Sequence, residues 1–291
     1  MLGAIIGDTV GSVYEFHNTK DYNFTLFKSR SGYTDDSIMT MAVAYWLLKD
    51  PKHRYETLET IMVDFAEHCP CPNGGYGKMF YRWLFFPKSL DAKSAYSDVH
   101  YKSKRGRHPY GSYGNGAAMR VCSIGWFFDT LEETERVAKI SAEITHDHPE
   151  GIKGAQATAA AIWMARNGTS KTDIKTYIAN RYGYDLERTW EYLHRTYSWH
   201  SSCQRTVPEA IICFLESDSF EDAIRKAVSI GGDSDTLACI TGGIAEAYYT
   251  AILQEMIDRT VKVFPKIFNK ILKEFKIRTP YGGKYPTMNS I

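Results

Sequence analysis

Asp233 and Asp235 stand two residues apart behind Gly231-Gly232, and the Thr236 hydroxyl follows at once. Near the other end of the chain, Thr34, Asp35 and Asp36 repeat the theme of one hydroxyl beside two carboxylates. Four carboxylates drawn together repel one another and are pushed toward their acid forms unless a counter-charge is present. The set offers only oxygen, with no His or Cys, so a hard cation is expected: Mg²⁺ first, then Mn²⁺ or Ca²⁺. Six protein oxygens exceed what one Mg²⁺ takes, because it keeps several waters. Two ions sharing bridging carboxylates, about 3.5–4 Å apart, are the more economical arrangement. Helix capping would use one carboxylate of the Asp35-Asp36 pair and gives no reason for the second.

These groups need elements that can bring them together. Residues 2–16 read as a helix in which Gly3, Gly7 and Gly11 recur every four residues and clear one face for another backbone. Each helical glycine costs roughly 1 kcal/mol against alanine, so that face wants a packing partner. Asp8, Ser12 and Glu15 share a second face at i, i+4, i+7 spacing. A solvated polar face also fits that spacing, but the adjoining glycines favour burial. Residues 17–33 form a loop carrying Lys20, Lys28, Arg30 and four aromatic residues, the length of a lid or binding loop. Ile38, Met41, Ala42, Tyr45 and Leu48 mark a helix over 36–49 that stops at Pro51. Thr34 to Asp36 therefore lie at its N-terminus, where negative charge is favoured.

Further helices are expected at 54–68, 78–86, 90–98, 117–128, 131–145, 150–166, 170–180, 185–195, about 206–216, 219–229, 236–254 and 256–275, with a surface tail at 276–291. The 206–216 helix is opened by a capping box, Thr206 to Glu209, with Pro208 in its first turn. No alternating strand, repeat or linker is found. The expectation is a single all-α domain, residues 1–291, of about a dozen helices.

Composition narrows the function. The net charge is +1, from 35 basic and 34 acidic residues, which argues against a general nucleic-acid or membrane-surface binder. No run of 18 apolar residues occurs, and the N-terminus lacks a positive n-region, so neither a spanning helix nor a signal peptide is expected. The six cysteines are scattered without C-x-x-C spacing, which fits a reduced compartment; a cytoplasmic monomer is the default. The basic run Lys102 to Arg107 could contact phosphate or form a solvated loop. Tyr110-Gly111-Ser112-Tyr113-Gly114-Asn115-Gly116 opens onto a small-residue helix, and such turns can offer backbone N–H groups to phosphate. Its spacing is neither a dinucleotide fingerprint nor a P-loop. His146 and His148 have no further ligands at metal spacing.

Gly3-Ala-Ile-Ile-Gly-Asp-Thr-Val-Gly-Ser-Val-Tyr-Glu15, Tyr33-Thr-Asp-Asp-Ser37, Gly111 to Arg120, Ile144-Thr-His146, Thr206 to Ala210 and Gly231 to Thr236 together resemble, in order, the motifs of the ADP-ribosylglycohydrolase family. The resemblance runs from residue 3 to about 250. It implies a compact all-α fold with two Mg²⁺ ions in a cleft, Mn²⁺ being a substitute, holding the ribose of an ADP-ribosyl group. By the same resemblance Thr34, Asp35 and Asp36 match one ligand group, and Asp233, Asp235 and Thr236 the other. Glu15 matches a carboxylate beside the reacting centre. Gly111, Ser112, Tyr113, Gly114 and Asn115 match the loop that grips the diphosphate and adenosine, and His146 a histidine lining the cleft. The implied reaction is hydrolysis at the anomeric carbon of an ADP-ribosylated protein or small molecule, through an oxocarbenium-like transition state. Glu15, Asp35 and Asp36 are rival general bases. Tyr110 and Tyr113 either stack on adenine or pack in the core. Residues 16–33 carry no family pattern, so an arginine, serine or non-protein acceptor stays open. Tyr248-Tyr249-Thr250 departs from the family's usual terminal glycine. Two rivals are a two-metal phosphoester hydrolase, which the motif order opposes, and a non-catalytic ADP-ribose-binding protein, which the retained carboxylates oppose.

Overall fold

The computed structural model describes residues 1–69, 71, 73, 75–89, 94–96, 103 and 105–279. The helix expected over 90–98, Lys102 and Lys104 of the basic run, and the tail beyond residue 279 lie wholly or mainly outside those residues.

The fold is all-α. In chain order the helices are Leu2–Gly11 (α1), Asp35–Lys49 (α2), Tyr55–His68 (α3), Lys78–Phe85 (α4), Gly116–Met119 (α5), Cys122–Phe127 (α6), Leu131–Glu143 (α7), Pro149–Arg166 (α8), Lys171–Tyr182 (α9), Trp190–Thr196 (α10), Cys203–Leu215 (α11), Phe220–Ser229 (α12), Ser234–Tyr249 (α13), Gln254–Val261 (α14) and Lys266–Arg278 (α15). One isolated bridge joins Gly114 to Ser202.

The centre is the pair α1 and α13. Every residue of α1 is buried, as are Ser234 to Ala247 of α13. A helix buried on all sides must be apolar or small nearly all round, and both are, save Asp8 in α1 and Asp235 and Glu246 in α13. The glycine stripe is the contact. A Cβ on Gly3 would lie 2.4 Å from the Gly242 oxygen, one on Gly7 1.9 Å from the Ala238 oxygen, and one on Gly11 2.5 Å from the Asp235 Cα. Rising numbers on α1 meet falling numbers on α13, so the two run antiparallel. The C-terminal end of α1 is thereby held against the N-terminus of α13. At the opposite end Gly3 N–H donates to Glu246 Oε2 at 2.9 Å, beside the Met1 amine.

Several boundaries differ from the periodicity. α1 stops at Gly11 rather than 16: the chain turns there, the Tyr14 N–H donating to the Gly11 carbonyl at 2.8 Å, and beyond the turn Asn18 Nδ2 takes the Tyr14 and Glu15 carbonyls at 2.6 and 2.8 Å. α11 begins at Cys203, whose N–H donates to the Tyr113 carbonyl at 2.9 Å, so Thr206 is no cap and Pro208 lies inside the helix. The stretch 117–128 splits into α5 and α6, and the last long helix breaks before Pro265 into α14 and α15.

Candidate active site

Three helix ends converge: the turn after α1, and the N-termini of α2 and α13. Asp8 ties the first two together. It is fully buried, and its Oδ2 accepts from the Thr34 and Ser37 N–H groups, each at 3.0 Å, and from the Ser37 hydroxyl. Its Oδ1 accepts from Thr34 Oγ1 at 2.8 Å. Thr34 in turn caps α2, its side chain accepting from Asp36 N–H at 3.2 Å. Sequence reasoning set Asp8 on a face with Glu15 but did not place it among the site residues.

The carboxylates gather in front of this anchor. Oxygens of Glu15, Asp233 and Asp235 all lie within 4.8 Å of one another. Asp233 Oδ2 accepts from Asn115 Nδ2 at 2.7 Å, and Asp235 Oδ1 from Thr236 N–H at 2.9 Å. Asp36 Oδ2 lies 3.4 Å from both the Thr34 and the Thr236 hydroxyls, while its buried Oδ1 has no hydrogen-bond partner. Asp35 is partly exposed.

A second latch holds Glu15 in place. Asn18 Nδ2 reaches the Gly232 carbonyl at 2.8 Å, and Asn18 Oδ1 accepts from Gly232 N–H at 2.8 Å. The loop of residues 17–33 is bonded down beyond this point too. Tyr22 OH donates to Asp222 Oδ1 at 2.6 Å, and Arg225 Nη1 donates to the Phe24 carbonyl at 2.9 Å.

Electrostatics show what this cluster lacks. Burial first, then the Asp235 and Asp8 charges, push Glu15 up to about 8. Burial raises Asp35, Asp36 and Asp235 well above the usual carboxylate range, with neighbouring carboxylates adding to it. Asp233 and Asp8 are raised to about 6, again by burial first. The charges that act on Asp35 and Asp36 are those of other carboxylates. An all-oxygen donor set, uncompensated negative charge and the unpartnered Asp36 Oδ1 fit a hard divalent cation.

Above the cluster opens a cavity of about 360 Å³, within the usual range for small-molecule sites. Glu15, Asp35, Asp36, Asp233, Asp235 and Thr236 line it together with Tyr110, Ser112, Gly114, Asn115, Gly116 and His146. Thr34 sits behind the lining, fully buried. Gly111 and Tyr113 do not line the cavity. Gly111, at φ +70°, donates its N–H to Asp147 Oδ1 at 2.8 Å. Tyr113 is 51% exposed, with its ring 5.3 Å from that of His148. Other N–H groups of the glycine-rich loop are engaged as well, Gly114 with Ser112 Oγ at 3.1 Å and Asn115 with the Ser201 carbonyl at 2.8 Å. His146 is nearly buried, and burial followed by the Arg120 charge holds it well below the usual imidazole range.

Lys78, Met79, Arg120 and Trp199 also line the cavity and were not singled out from sequence. Arg120 closes the Gly111 to Arg120 motif, and the other three lie outside any motif, so only the packing reveals their place at the cavity. Neither Arg105 nor Arg107 reaches it; Arg107 turns inward to the Trp83 and Leu84 carbonyls at 2.7 and 2.6 Å. No disulfide joins any of the six cysteines. Thr206, expected as a cap, instead accepts from Asn115 Nδ2 at 3.2 Å and so backs the residue that orients Asp233.

A family model described as ADP-ribosylglycohydrolase matches residues 1–279. The chain is 27% identical to the ADP-ribosylhydrolase ARH3 of Homo sapiens, over 86% of this chain and 84% of that protein. It is 27% identical to the ARH3 of Gallus gallus, with the same coverage, 86% and 84%. A solved structure described as an ADP-ribosylglycohydrolase-related protein complex has the same fold, with TM-score 0.65 over 96% of this chain and 97% of that one, at 18% identity.

Proposed function

The chain belongs to the ADP-ribosylglycohydrolase family, and from that premise we propose that it is a Mg²⁺-dependent hydrolase that cleaves the bond between ADP-ribose and an acceptor, either a protein or a small molecule. The observation that carries this reading is the meeting of Glu15, Asp233 and Asp235 oxygens within 4.8 Å in a cavity that Ser112, Gly114, Asn115 and Gly116 of the glycine-rich loop also line. The carboxylates are suited to a ribose held by cations, the loop to a diphosphate.

Asp35, Asp36, Asp233, Asp235 and Thr236 would hold two ions between them. When bound, Mg²⁺ supplies the counter-charge and polarises hydroxyl and water oxygens. The chain's own residues then have distinct tasks. Asn115 fixes the orientation of Asp233. Glu15, partly exposed at the cavity and pinned through Asn18, is the best-placed group to accept the proton of an attacking water, with Asp35 and Asp36 as its rivals. The surrounding carboxylates stabilise positive charge that develops on the ribose as the glycosidic bond breaks. Tyr110, whose ring lies 6.0 Å from that of His146, is the better-placed tyrosine to meet the adenosine end. Among the described residues no helix is long and apolar enough to cross a membrane. A cytoplasmic location and a monomeric state remain part of the proposal, on the charge balance and the cysteines that form no disulfide.

The test is release of ADP-ribose from arginine-linked, serine-linked and small-molecule substrates, with and without chelator. Release of AMP instead would favour a phosphoester hydrolase, and activity that survives chelation would remove the cations from the reading.

A further inference from the structure

Arg120 is fully buried, lies among the cavity-lining residues and ends the Gly111 to Arg120 motif. Its Nη2 donates to the Ser141 carbonyl at 2.6 Å and to Thr145 Oγ1 at 3.0 Å. Thr145 Oγ1 lies 2.7 Å from His146 Nδ1. The direction of that last bond follows from the donor inventory. A guanidinium can only donate, so Thr145 Oγ1 accepts from Arg120. Thr145 is itself fully buried, and Arg120 and His146 are its hydroxyl's partners among the described residues. Its single hydrogen therefore has one acceptor, His146 Nδ1. The reverse arrangement, with Nδ1 donating, would strand that hydrogen where no water reaches it.

A neutral imidazole that accepts at Nδ1 must carry its hydrogen on Nε2. Nε2 points at the glycine-rich loop: a Cβ on Gly114 would lie 3.4 Å from it, and one on Gly116 3.2 Å. The loop's own N–H groups at Gly111, Gly114 and Asn115 are already engaged within the protein. A side-chain donor at this wall thus takes on part of the task that a backbone cradle would otherwise perform.

We propose that Arg120 is a positioning residue: through Thr145 it fixes His146 as the tautomer with hydrogen on Nε2, so that His146 donates to a phosphate oxygen of the ADP-ribosyl group. The tautomer is a property of the protein alone, whereas the target of the donor rests on the function proposed above.

The two are separable in one set of measurements on the full chain in Mg²⁺. Nitrogen NMR of histidine-labelled protein, with His146 assigned by its absence in His146→Asn, is expected to show a protonated Nε2 and a bare Nδ1 before any ligand is added. Thr145→Val removes the relay and should yield a mixed or reversed tautomer, with ADP-ribose affinity lower by roughly tenfold. Thr145→Ser should restore both. Arg120→Met should free the Thr145 hydroxyl to accept from Nδ1 and reverse the tautomer; if that variant does not fold, the threonine pair decides. A wild-type His146 protonated on Nδ1, or a Thr145→Val protein unchanged in both tautomer and affinity, overturns the proposal. A protonated Nε2 in a protein that binds no ADP-ribose supports the relay and overturns the target of the donor.

Discussion

Gly7 and Ala238 are in direct backbone contact: a Cβ on Gly7 would lie 1.9 Å from the Ala238 carbonyl oxygen. The obstacle is main chain inside two buried helices, so it cannot turn aside as a side-chain tip could. Gly7→Ala is expected to destabilise the protein by about 3 kcal/mol, the upper end of ordinary overpacking. Because α1 leads into Glu15 and α13 carries Asp235, the same change should also weaken Mg²⁺ binding. Urea denaturation and a Mg²⁺ titration check both; a variant as stable as the parent would contradict the antiparallel backbone contact.

Loss of a single carboxylate is expected to act on cation binding before it acts on the fold. Partners of metal ligands, even outside the ligand set, typically cost 10–100-fold in affinity when removed, so Asp235→Asn should weaken Mg²⁺ by roughly 100-fold. With chelator present the order reverses. The variant removes one of several crowded negative charges, so its melting temperature without metal should lie above the parent's. Calorimetric titration and thermal melts give the two readings, and a variant that matches the parent in both would rule out a shared cation site.

Stability should depend on pH in opposite senses on two sides. Burial, then the Asp235 and Asp8 charges, raises Glu15 to about 8; burial raises Asp8 and Asp233 to about 6 against the hydrogen bonds they accept, which act to lower them. A carboxyl whose folded value exceeds its unfolded value of about 4 binds protons better when folded, so metal-free protein gains stability as pH falls from about 8 toward about 4. Asp50 works the other way. Burial raises it, but hydrogen bonds from the Arg54 and Thr57 side chains and from the Arg54 and Lys52 N–H groups outweigh that and hold it at about 2. Its contribution is complete above about pH 4 and fades as pH falls toward 2. Melting temperatures in chelator should therefore peak on the mildly acidic side. With Mg²⁺ the decline toward pH 8 should vanish, and a chelated protein whose stability does not change between about pH 5 and 8 would contradict the carboxylate clustering.

Asn18 joins the Glu15 turn to Gly232 through bonds at both ends of its amide. Asn18→Ala is expected to leave the fold intact and to lower kcat by roughly 10- to 100-fold through misplacement of Glu15, with a smaller change in KM. Asn18→Asp keeps the acceptor for Gly232 N–H but loses the donors, and should fall between the two. Steady-state kinetics beside far-UV circular dichroism would show it; an unchanged kcat in Asn18→Ala would remove Glu15 from the chemistry or Asn18 from its support.

Much of this site was legible because its residues are locally unusual. Gly3, Gly7 and Gly11 announce a close backbone partner, and the paired carboxylates at 35–36 and 233–235 announce a shared charge problem. The rest depends on long-range partners that leave no periodic trace. Asp8 shares a helical face with Glu15, yet its work is to hold the N-terminus of α2. Glu15 lies outside the helix, which turns off after Gly11, and Asn18 then holds the Tyr14 and Glu15 carbonyls. Thr206 matches a capping pattern, but the bridge to Tyr113 starts α11 earlier and turns that hydroxyl toward Asn115. Arg120 ends a motif, yet its place at the cavity is set by the packing around α5 and α6; Trp199 carries no signal in the sequence and is set by an irregular segment before α11.

The antiparallel seating of α1 on α13 also sets an order of events during synthesis. Thr236 meets Asp36 across 200 residues of chain, and α1 is among the first helices to be made. Until α13 leaves the ribosome, the bare glycine stripe of α1 has no partner, and Glu15, Asp35 and Asp36 face no opposing wall. Long-range closure of this kind is slow relative to local helix formation, and it leaves apolar surface uncovered while it waits. Until then the segment between α1 and α13 has no formed cleft. The arrival of α13 gives the glycine stripe its partner and closes the cleft in a single step, before α14 and α15 add the last of the core.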